Sequence, residues 1–434
     1  MNRRSLWFRH LAVLSVLGLV LAACGTDDDE PDDDPVDQDV DDDDEDVEDV
    51  ERDEGALSLG YILPESGPLA FLGPPQIEAV NLAVQDINDA GGVLGNDVTV
   101  SAGDEAGDAA VASESAERLI GEGVDAIIGA AASGMSLAIV DAVTGAGVLQ
   151  CSASNTAPTF TDGDYGGLYF RTAPTDALQG PVLAEAIVED GNTQVAILAR
   201  ADDYGRGLME ATQNELEAQG ADVVLAETYD EDAATFDSEV AAVQDSGADS
   251  VALIAFDEGA QILQAMVEAG LSPSEFPTYG ADGVRSAELP ELVDPGDPSV
   301  LDGMRGTAPS PEADPEFLDR FLESTGLDDS TFAAQAYDCT TLVALAAVAA
   351  DTVDPQAMAA EMVGLTTDGT ACDTFAECAE LIEDGEDIAY QTKSGVELHE
   401  TDTGNGEPSS GQYEVWSFDA EGTISTERTT TSEF

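Results

Sequence analysis

The chain has 434 residues, enough for two domains of ordinary size, and it carries 91 acidic residues against 13 lysines and arginines. Its formal net charge of −78 excludes nucleic acid as a partner, because binding to phosphates needs cations that this chain lacks. A charge of this size also repels itself in dilute salt, which predicts an acidic, halophile-type surface suited to concentrated salt.

Residues 1–23 are typical of a secretory signal peptide, with three arginines before an apolar run that is too short to span a bilayer. The run ends at residues 21–24 in LAAC, which resembles the bacterial lipobox and implies lipid modification of Cys24. The alternative is an ordinary signal peptide followed by an unrelated cysteine. A lipid anchor would hold an extracytoplasmic, soluble domain at the outer face of the cell membrane.

A strongly acidic segment follows. Residues 27–54 contain 20 acidic residues and one arginine, so this part of the chain cannot bury apolar surface. Residues 24–56 are therefore predicted to form a disordered stalk between the lipid and the fold. A tail that binds a specific partner or calcium is the alternative.

From residue 57 onward, short apolar runs alternate with helical patterns. The first series predicts strands at 57–63, 98–102, 124–130 and 148–153, and helices at 74–92, 108–123 and 133–147. The second series predicts strands at 194–200, 222–229 and 250–256, and helices near 205–219, 236–245 and 258–270. More helices are expected between about 314 and 384, and antiparallel strands at 411–425. The pattern predicts an α/β fold with two Rossmann-like lobes around central, mostly parallel sheets.

The cysteine count favours disulfides. Four cysteines remain if Cys24 is lipidated, and an even number is typical of exported chains with disulfide bonds. Cys372 and Cys378 flank a short loop and are predicted to pair, which leaves Cys151 and Cys339 as the second pair. A zinc site is disfavoured, because the cysteines lack metal-site spacing and histidine is nearly absent. No metal or cofactor is predicted.

The chain is predicted not to be an enzyme. It has two histidines, of which His10 leaves with the signal peptide, and His399 lies in a polar stretch with no sign of a nucleophile nearby. The sequence contains no nucleophile elbow, P-loop, dinucleotide fingerprint or metalloprotease motif. Catalysis by paired carboxylates stays open, since acidic residues are abundant throughout the chain.

Two hydroxyl-rich segments follow neighbouring strands of the first series. CSASNTAPTF covers 151–160, and GAAASGMS covers 129–136 and places Ser133 at the start of a helix. Hydroxyls and backbone N–H groups at such helix starts suit an anion, and the lack of nearby basic residues favours a carboxylate over a phosphate. The alternative is that these residues only cap helices.

A resemblance to a known family begins at residue 59, in LGYILPESGPLAFLGPPQIEAVNLAVQDINDAGGVLG. It continues through FRTAPTDALQG, DDYGRGL, YGADGV, AYDCTTLVALA and SGVELHETDTGNGEPSSGQYEVWSF. In this order the segments resemble the branched-chain amino acid-binding proteins of ABC transporters, which are type I periplasmic binding proteins. The resemblance covers most of residues 57–420 and implies two lobes, joined by a three-strand hinge, that close on a ligand.

The resemblance also implies where the chain crosses between the lobes. The crossings are expected near 172–176, 303–308 and 391–398. The first lobe would then comprise residues 57–172 and 306–394, and the second lobe residues 173–305 and 395–434.

The family's ligand site maps onto matching residues of this chain. Ser133 is expected to bind the α-carboxylate of an amino acid, and Ser154 and Thr156 are expected to contact both its carboxylate and its ammonium group. Tyr204 would form a wall from the second lobe, unless it is an ordinary exposed tyrosine. Asp282 replaces the glutamate that usually meets the ammonium group, unless it is only a turn residue.

Two positions depart from the family pattern. Leu72 replaces an aromatic residue of the first loop, so that wall of the site becomes aliphatic. Asp257, followed by Glu258, lies where some relatives place an aromatic contact. A carboxylate there would favour a ligand with more positive charge or a polar side chain, or it belongs to the general acidity of the chain.

The resemblance implies a monomeric, lipid-anchored receptor that captures a small amino acid-like ligand and delivers it to the permease of an ABC transporter. A branched-chain amino acid is the first expectation. The alternatives are a sensory receptor of the same fold for amides, urea or another small carboxylate and, less favoured, a secreted hydrolase.

Overall fold

The computed structural model describes residues 55–310 and 314–433. These residues alternate between strands and helices, as the sequence predicts. The predicted signal peptide, the lipidation site Cys24 and the acidic stalk up to residue 54 lie outside the described residues. Each series of strands and helices that the sequence predicts is present, with boundaries shifted by a few residues.

The strands of the described chain are numbered in chain order: β1 (Ser58–Leu63), β2 (Thr99–Asp104), β3 (Ala126–Gly129), β4 (Leu149–Ser152), β5 (Tyr169–Arg171), β6 (Gln194–Arg200), β7 (Asp222–Tyr229), β8 (Ser250–Ile254), β9 (Thr278–Gly280), β10 (Arg305–Pro309), β11 (Thr370–Cys372), β12 (Ile388–Tyr390), β13 (Leu398–Glu400), β14 (Gly406–Pro408), β15 (Ser410–Phe418) and β16 (Ile424–Glu433).

The α-helices are numbered in the same way: α1 (Gly73–Asp89), α2 (Ala109–Glu122), α3 (Ser133–Gly145), α4 (Thr159–Asp162), α5 (Asp176–Glu189), α6 (Asp203–Gln219), α7 (Asp237–Ser246), α8 (Gly259–Glu268), α9 (Leu289–Val293), α10 (Pro315–Thr325), α11 (Ala333–Ala350), α12 (Pro355–Met362) and α13 (Phe375–Glu383). Short 3-10 helices lie at Ala70–Leu72, Asp282–Val284, Pro298–Leu301 and Gly364–Thr366.

The strands form two seven-stranded sheets and one small pair. The first sheet has the order β13-β14-β5-β4-β3-β1-β2, and the second has the order β16-β15-β10-β9-β8-β6-β7. Neighbouring strands among β1–β5 and among β6–β10 run parallel, while β13 and β16 are antiparallel to their neighbours at the sheet edges. This is the predicted arrangement of two α/β lobes with mostly parallel sheets.

The second and third crossings between the lobes lie further along the chain than the sequence predicts. Strand β10 pairs with β9 and β15, so residues 306–309 belong to the second lobe. Strand β14 pairs with β5, so residues 395–408 belong to the first lobe. A buried ion pair explains the later third crossing, because Arg171 on β5 donates to Glu407 on β14 with an Nε–Oε2 distance of 3.0 Å.

Helix α11 is the core helix of the first lobe. It is long and apolar enough to cross a membrane, but 89% of it is buried inside the fold. The disulfide Cys151–Cys339 links it to β4 with a Cα–Cα distance of 5.8 Å. The second predicted disulfide, Cys372–Cys378, joins β11 to α13 with a Cα–Cα distance of 5.3 Å. Both predicted pairs are therefore present.

Local sequence sets the helix boundaries near the site. The Asp202 carboxylate accepts the Gly205 N–H at 2.8 Å and so caps α6, which ends at Gly220 with a left-handed φ of 89°. The Thr175 side chain caps α5 in the same way through the Ala177 N–H. These caps determine where Tyr204 and Asp176 stand in the first turns of their helices.

Most cations in the described residues form ion pairs. Lys393, the one lysine of the chain, lies 2.6 Å from Asp373 and 3.2 Å from Asp314. Seven arginines also pair with carboxylates, namely Arg118, Arg171, Arg200, Arg285, Arg305, Arg320 and Arg428. The few basic side chains of this acidic chain thus lie mostly in ion pairs with its carboxylates.

Candidate functional site

A cleft between the two lobes collects the predicted site residues. It lies at the carboxyl ends of the parallel strands, where ligands bind in open α/β sheets. The first lobe contributes Leu69, Leu72, Ala131, Ala132, Ser133, Ser154, Thr156 and Phe332, and the second lobe contributes Tyr204, Phe256 and Asp282. Six of the seven predicted ligand-binding residues therefore meet in one place.

Hydroxyl groups form the polar wall of the first lobe. The Ser133 hydroxyl accepts the Ala157 N–H at 3.3 Å, which leaves its own proton free to donate into the cleft. The Ser154 hydroxyl donates to Gln76 Oε1 at 3.1 Å and to the Ala131 carbonyl at 3.2 Å, so it is engaged within the lobe. Thr156 lies at the lobe boundary.

The other polar residues of the CSASNTAPTF segment hold the loop in place. The Ser152 hydroxyl donates to the Ala130 carbonyl at 2.8 Å, and Asn155 Nδ2 donates to the Ala131 carbonyl at 2.9 Å. The Tyr169 hydroxyl donates to Asn155 Oδ1 at 3.0 Å. The segment thus combines residues that face the cleft with residues that fix the loop, which the sequence pattern does not separate.

A buried carboxylate already occupies the backbone donors just before α3. Glu105 is fully buried, and it accepts the Ala131 N–H at 2.6 Å and the Ala132 N–H at 3.2 Å. Burial raises the pKa of Glu105 to about 8, although these hydrogen bonds act in the opposite direction. The sequence prediction missed this residue. The N–H groups of Ala131 and Ala132 are therefore not available to a ligand carboxylate.

Asp282 is the predicted anion of the second lobe, and it stands in the cleft just after β9. Its Oδ1 accepts Gln179 Nε2 at 2.8 Å and the Tyr204 hydroxyl at 3.4 Å. Burial raises the pKa of Asp282 to about 6. Asp282 is thus buried and oriented by two donors, unlike an exposed turn residue.

Asp176 is a second buried carboxylate that the sequence prediction missed. It is the first residue of α5, and its backbone N–H donates to the Thr156 carbonyl across the lobe boundary at 2.7 Å. Neither of its carboxylate oxygens has a hydrogen bond of normal geometry within the described residues. Burial and the charge of Asp282 raise the pKa of Asp176 well above its usual value, and the nearby Thr156 hydroxyl lowers it. Two such acids ionise together most readily when a cation enters.

Aromatic and aliphatic side chains form the other end of the cleft. The Tyr204 and Phe256 rings stack with centroids 5.3 Å apart. Phe332 closes the first-lobe side from a left-handed backbone conformation with φ of 60°, which is rare for a bulky residue, and Leu72 lies on the same wall. The sequence prediction missed both phenylalanines.

The structure does not bring Asp257 to the cleft. Its side chain is exposed, whereas the preceding residue, Phe256, lines the site. Glu258 is buried but faces away from the ligand space, and Arg200 Nη1 donates to it at 2.9 Å. The turn after β8 thus presents Phe256 to the cleft instead of the predicted Asp257.

The two lobes are in contact around the cleft. A Cβ atom on Gly207 of α6 would lie 2.5 Å from Pro158 Cδ of the first lobe, so only glycine fits there without a shift. Arg285 Nη1 of the second lobe lies 3.2 Å from the Thr331 hydroxyl and 3.6 Å from Asp329. The conformation is therefore a closed one. Among the described residues, no group of three or more His, Cys, Asp or Glu side chains is placed to hold a metal ion.

Comparisons with known proteins agree with this geometry. The family model described as "Periplasmic binding protein" matches residues 56–380. A leucine-, isoleucine-, valine-, threonine- and alanine-binding protein from Pseudomonas aeruginosa is 29% identical over 302 residues, which is 68% of this chain and 79% of that protein.

Solved structures share the fold. The branched-chain amino acid transporter substrate-binding protein LivJ from Streptococcus pneumoniae, in complex with isoleucine, has a TM-score of 0.70 at 21% identity and covers 87% of this chain and 100% of its own. A solute-binding protein of an ABC transporter from R. palustris, in complex with 4-hydroxybenzoate, has a TM-score of 0.69 at 19% identity, with 87% of this chain and 98% of its own covered.

Proposed function

The chain belongs to the periplasmic binding protein family, and on that premise we propose that it is the extracytoplasmic substrate-binding protein of an ABC transporter for a small α-amino acid. We expect a branched-chain aliphatic amino acid as the ligand and a membrane permease as the partner that receives it. The named relatives support this proposal, since those with described ligands bind amino acids or a small carboxylate.

The observation that carries the proposal is the opposite polarity of the two cleft walls. The first lobe offers the Ser133 and Thr156 hydroxyls, which suit the α-carboxylate of a zwitterion. The second lobe offers the buried carboxylate of Asp282 in the cleft wall, and the nearby carboxylate of Asp176 adds a second buried acid without lining the cleft itself. An ammonium group placed between them would supply charge-assisted hydrogen bonds, which are about twice as strong as neutral ones.

The apolar end of the cleft supports a compact aliphatic side chain. Leu69, Leu72, Phe256 and Phe332 line this end, and hydrophobic walls with few polar groups are typical of small-ligand sites. The exposed position of Asp257 gives no support to a cationic or polar ligand side chain. Leucine, isoleucine and valine are therefore the first ligands to test.

Isothermal titration calorimetry in molar salt tests the proposal. We expect wild-type protein to bind leucine, isoleucine or valine, and Asp282→Asn to weaken the affinity at least about 30-fold, because the ammonium loses its anionic partner. Asp338→Asn is the matched control, since Asp338 is also buried with its pKa raised to about 6 but lies on α11, away from the cleft. This control should keep the wild-type affinity.

Other outcomes separate the alternatives. Binding of 4-hydroxybenzoate but of no zwitterion would contradict the amino acid proposal and leave a receptor for simple carboxylates. Equal losses of affinity in Asp282→Asn and Asp338→Asn would contradict the assigned role of Asp282. Recovery of chemically altered ligand after incubation would favour the hydrolase alternative.

We also propose that Cys24 carries a lipid that anchors the mature, monomeric protein to the outer face of the cell membrane. The LAAC sequence at residues 21–24 supports the anchor. In cell fractionation, Cys24→Ser should move the protein from the membrane fraction to the soluble exported fraction. Retention of Cys24→Ser in the membrane would contradict the anchor without affecting the ligand proposal.

A further inference from the structure

The aromatic wall of the cleft is backed by a buried polar cluster that the proposed function does not use. This Arg200 cluster consists of Arg200, Asp202, Tyr229 and Glu258, at or just beyond the carboxyl ends of β6, β7 and β8. Arg200 is 7% exposed and Glu258 is 5% exposed. Burial of an ion pair costs desolvation free energy, so its presence behind a ligand site calls for an explanation.

The Arg200 guanidinium holds Phe256 at two points. Its Cζ lies 3.6 Å from the centroid of the Phe256 ring, the ring that also stacks on Tyr204. Its Nη1 donates to Glu258 Oε1 at 2.9 Å, and the same oxygen accepts the Phe256 N–H at 3.2 Å. The ring and the backbone of Phe256 are thus both fixed by one cation and its carboxylate.

Arg200 also supports the helix that carries Tyr204. Its Nε donates to Asp202 Oδ2 at 2.5 Å, while Asp202 Oδ1 caps the first turn of α6. A Cβ atom on Gly205 would lie 2.2 Å from the Arg200 carbonyl oxygen, so this turn packs directly on the Arg200 backbone. The position of Tyr204 therefore depends on the same residue.

We propose that Arg200 is a positioning residue that sets ligand selectivity by holding Phe256 across the apolar end of the cleft. This inference rests on the proposed function and deepens it, because it limits the ligand to a compact aliphatic side chain and excludes aromatic ones. A planar guanidinium stacks on a ring while its edge donates hydrogen bonds, and a lysine ammonium cannot do both. Without the stack, Phe256 turns away and the cleft accepts a larger side chain.

The test compares leucine with phenylalanine in the full chain. Calorimetry gives the dissociation constants of both ligands for the wild type and for Arg200→Lys, which keeps a cation near Glu258. We expect the wild type to prefer leucine, and we expect the preference to fall about five- to tenfold in Arg200→Lys, as phenylalanine gains relative to leucine.

Two further variants make the test specific. Arg305→Lys is the matched control, since Arg305 on β10 donates to Glu427 Oε2 at 2.9 Å and does not line the cleft, so the ligand preference should not change. Phe256→Leu removes the ring and leaves the ion pair in place, so it should lower the preference by itself. Adding Arg200→Lys to Phe256→Leu should then have no further effect on the preference.

An equal loss of affinity for both ligands in Arg200→Lys, with the preference unchanged, would overturn the inference and leave Arg200 with a purely structural role. If Arg200→Lys does not fold, Phe256→Leu decides: a lower preference supports the inference, and an unchanged preference overturns it. A wild-type protein that binds no amino acid would first overturn the proposed function, and this inference with it.

Discussion

Asp338 and Asp176 are both fully buried carboxylates, yet their surroundings are opposite. Asp338, on α11 in the first lobe, accepts the Tyr390 hydroxyl at 3.0 Å, the Lys393 N–H at 2.8 Å, and both the N–H and the hydroxyl of Ser394, at 2.8 and 2.6 Å. Asp176, near the cleft residue Asp282, has no hydrogen bond of normal geometry to its carboxylate within the described chain.

The difference distinguishes a carboxylate that stabilises the fold from one that, under the proposed function, binds a ligand. Buried polar groups in native proteins are nearly always hydrogen-bonded, so an exception needs a reason. For Asp338 the donors are supplied by the chain, and the turn at residues 390–394 depends on them. For Asp176 the missing donor is the one that an ammonium group would bring under the proposed function.

The largest effect on stability is expected at Asp338. Asp338→Ala leaves four donors without an acceptor, which should lower the free energy of unfolding by about 4 kcal/mol. Urea denaturation of ligand-free protein measures this loss. If the folded fraction of Asp338→Ala binds leucine with altered affinity, Asp338 also affects the ligand site, which contradicts its assignment to a purely structural role.

The pH dependence of stability should follow the raised pKa values. In the folded state the pKa is about 6 for Asp282 and Asp338 and about 8 for Glu105, above the unfolded values near 4. The folded chain therefore binds more protons between pH 4 and 8, so stability must fall as the pH rises through this window.

We expect the free energy of unfolding to fall by about 3 kcal/mol between pH 6 and pH 8 at constant salt. Glu105→Gln should flatten the curve above pH 6, and Asp338→Asn should flatten it below pH 7. Saturating leucine should flatten only the part of the pH curve that comes from titration of the carboxylates in the cleft. A curve that rises with pH would show that the raised pKa values are wrong.

Asp176→Asn should have opposite effects on folding and binding. Asparagine avoids the cost of an unpaired buried charge, so ligand-free protein should become more stable by about 1 kcal/mol. Leucine affinity should fall about tenfold, because one anionic partner of the ammonium is lost. Thermal melts with and without leucine measure both effects, and a loss of stability comparable to that of Asp338→Ala would make Asp176 a structural residue.

The smallest effect is expected at Gly207. Its position against Pro158 predicts that Gly207→Ala hinders closure and weakens leucine binding about fivefold. The ligand-free protein should be equally or slightly more stable, since alanine favours a helix by about 1 kcal/mol. Gly134→Ala on α3 is the control, since no atom lies within 4 Å of a Cβ there.

Much of the fold could be predicted because apolar periodicity and turn residues are local signals. Strand β6 and helix α3 begin where the sequence predicts them. The later crossing at residue 409 could not be read in this way, because it depends on the contact between Arg171 and Glu407, which are 236 residues apart.

The site shows the same division. Ser133, Thr156 and Asp282 were found because their motifs resemble those of a known family, and Ser133 also begins the helix after a predicted strand. Asp176 was missed although it lies in the quoted FRTAPTDALQG segment, because burial without a partner is visible only in three dimensions. Phe256 lines the cleft instead of the predicted Asp257 because of the direction of the turn after β8, which apolar periodicity does not predict.

The small number of lysines and arginines affects how well the protein resists proteolysis outside a cell. Residues 55–434 contain one lysine and eight arginines, and trypsin-like proteases cut only after these residues. Lys393 and seven of the arginines in the described chain are held in ion pairs, and several of them are buried. A protease of this specificity therefore meets long stretches without a cleavage site, and the folded protein should persist where such enzymes are secreted.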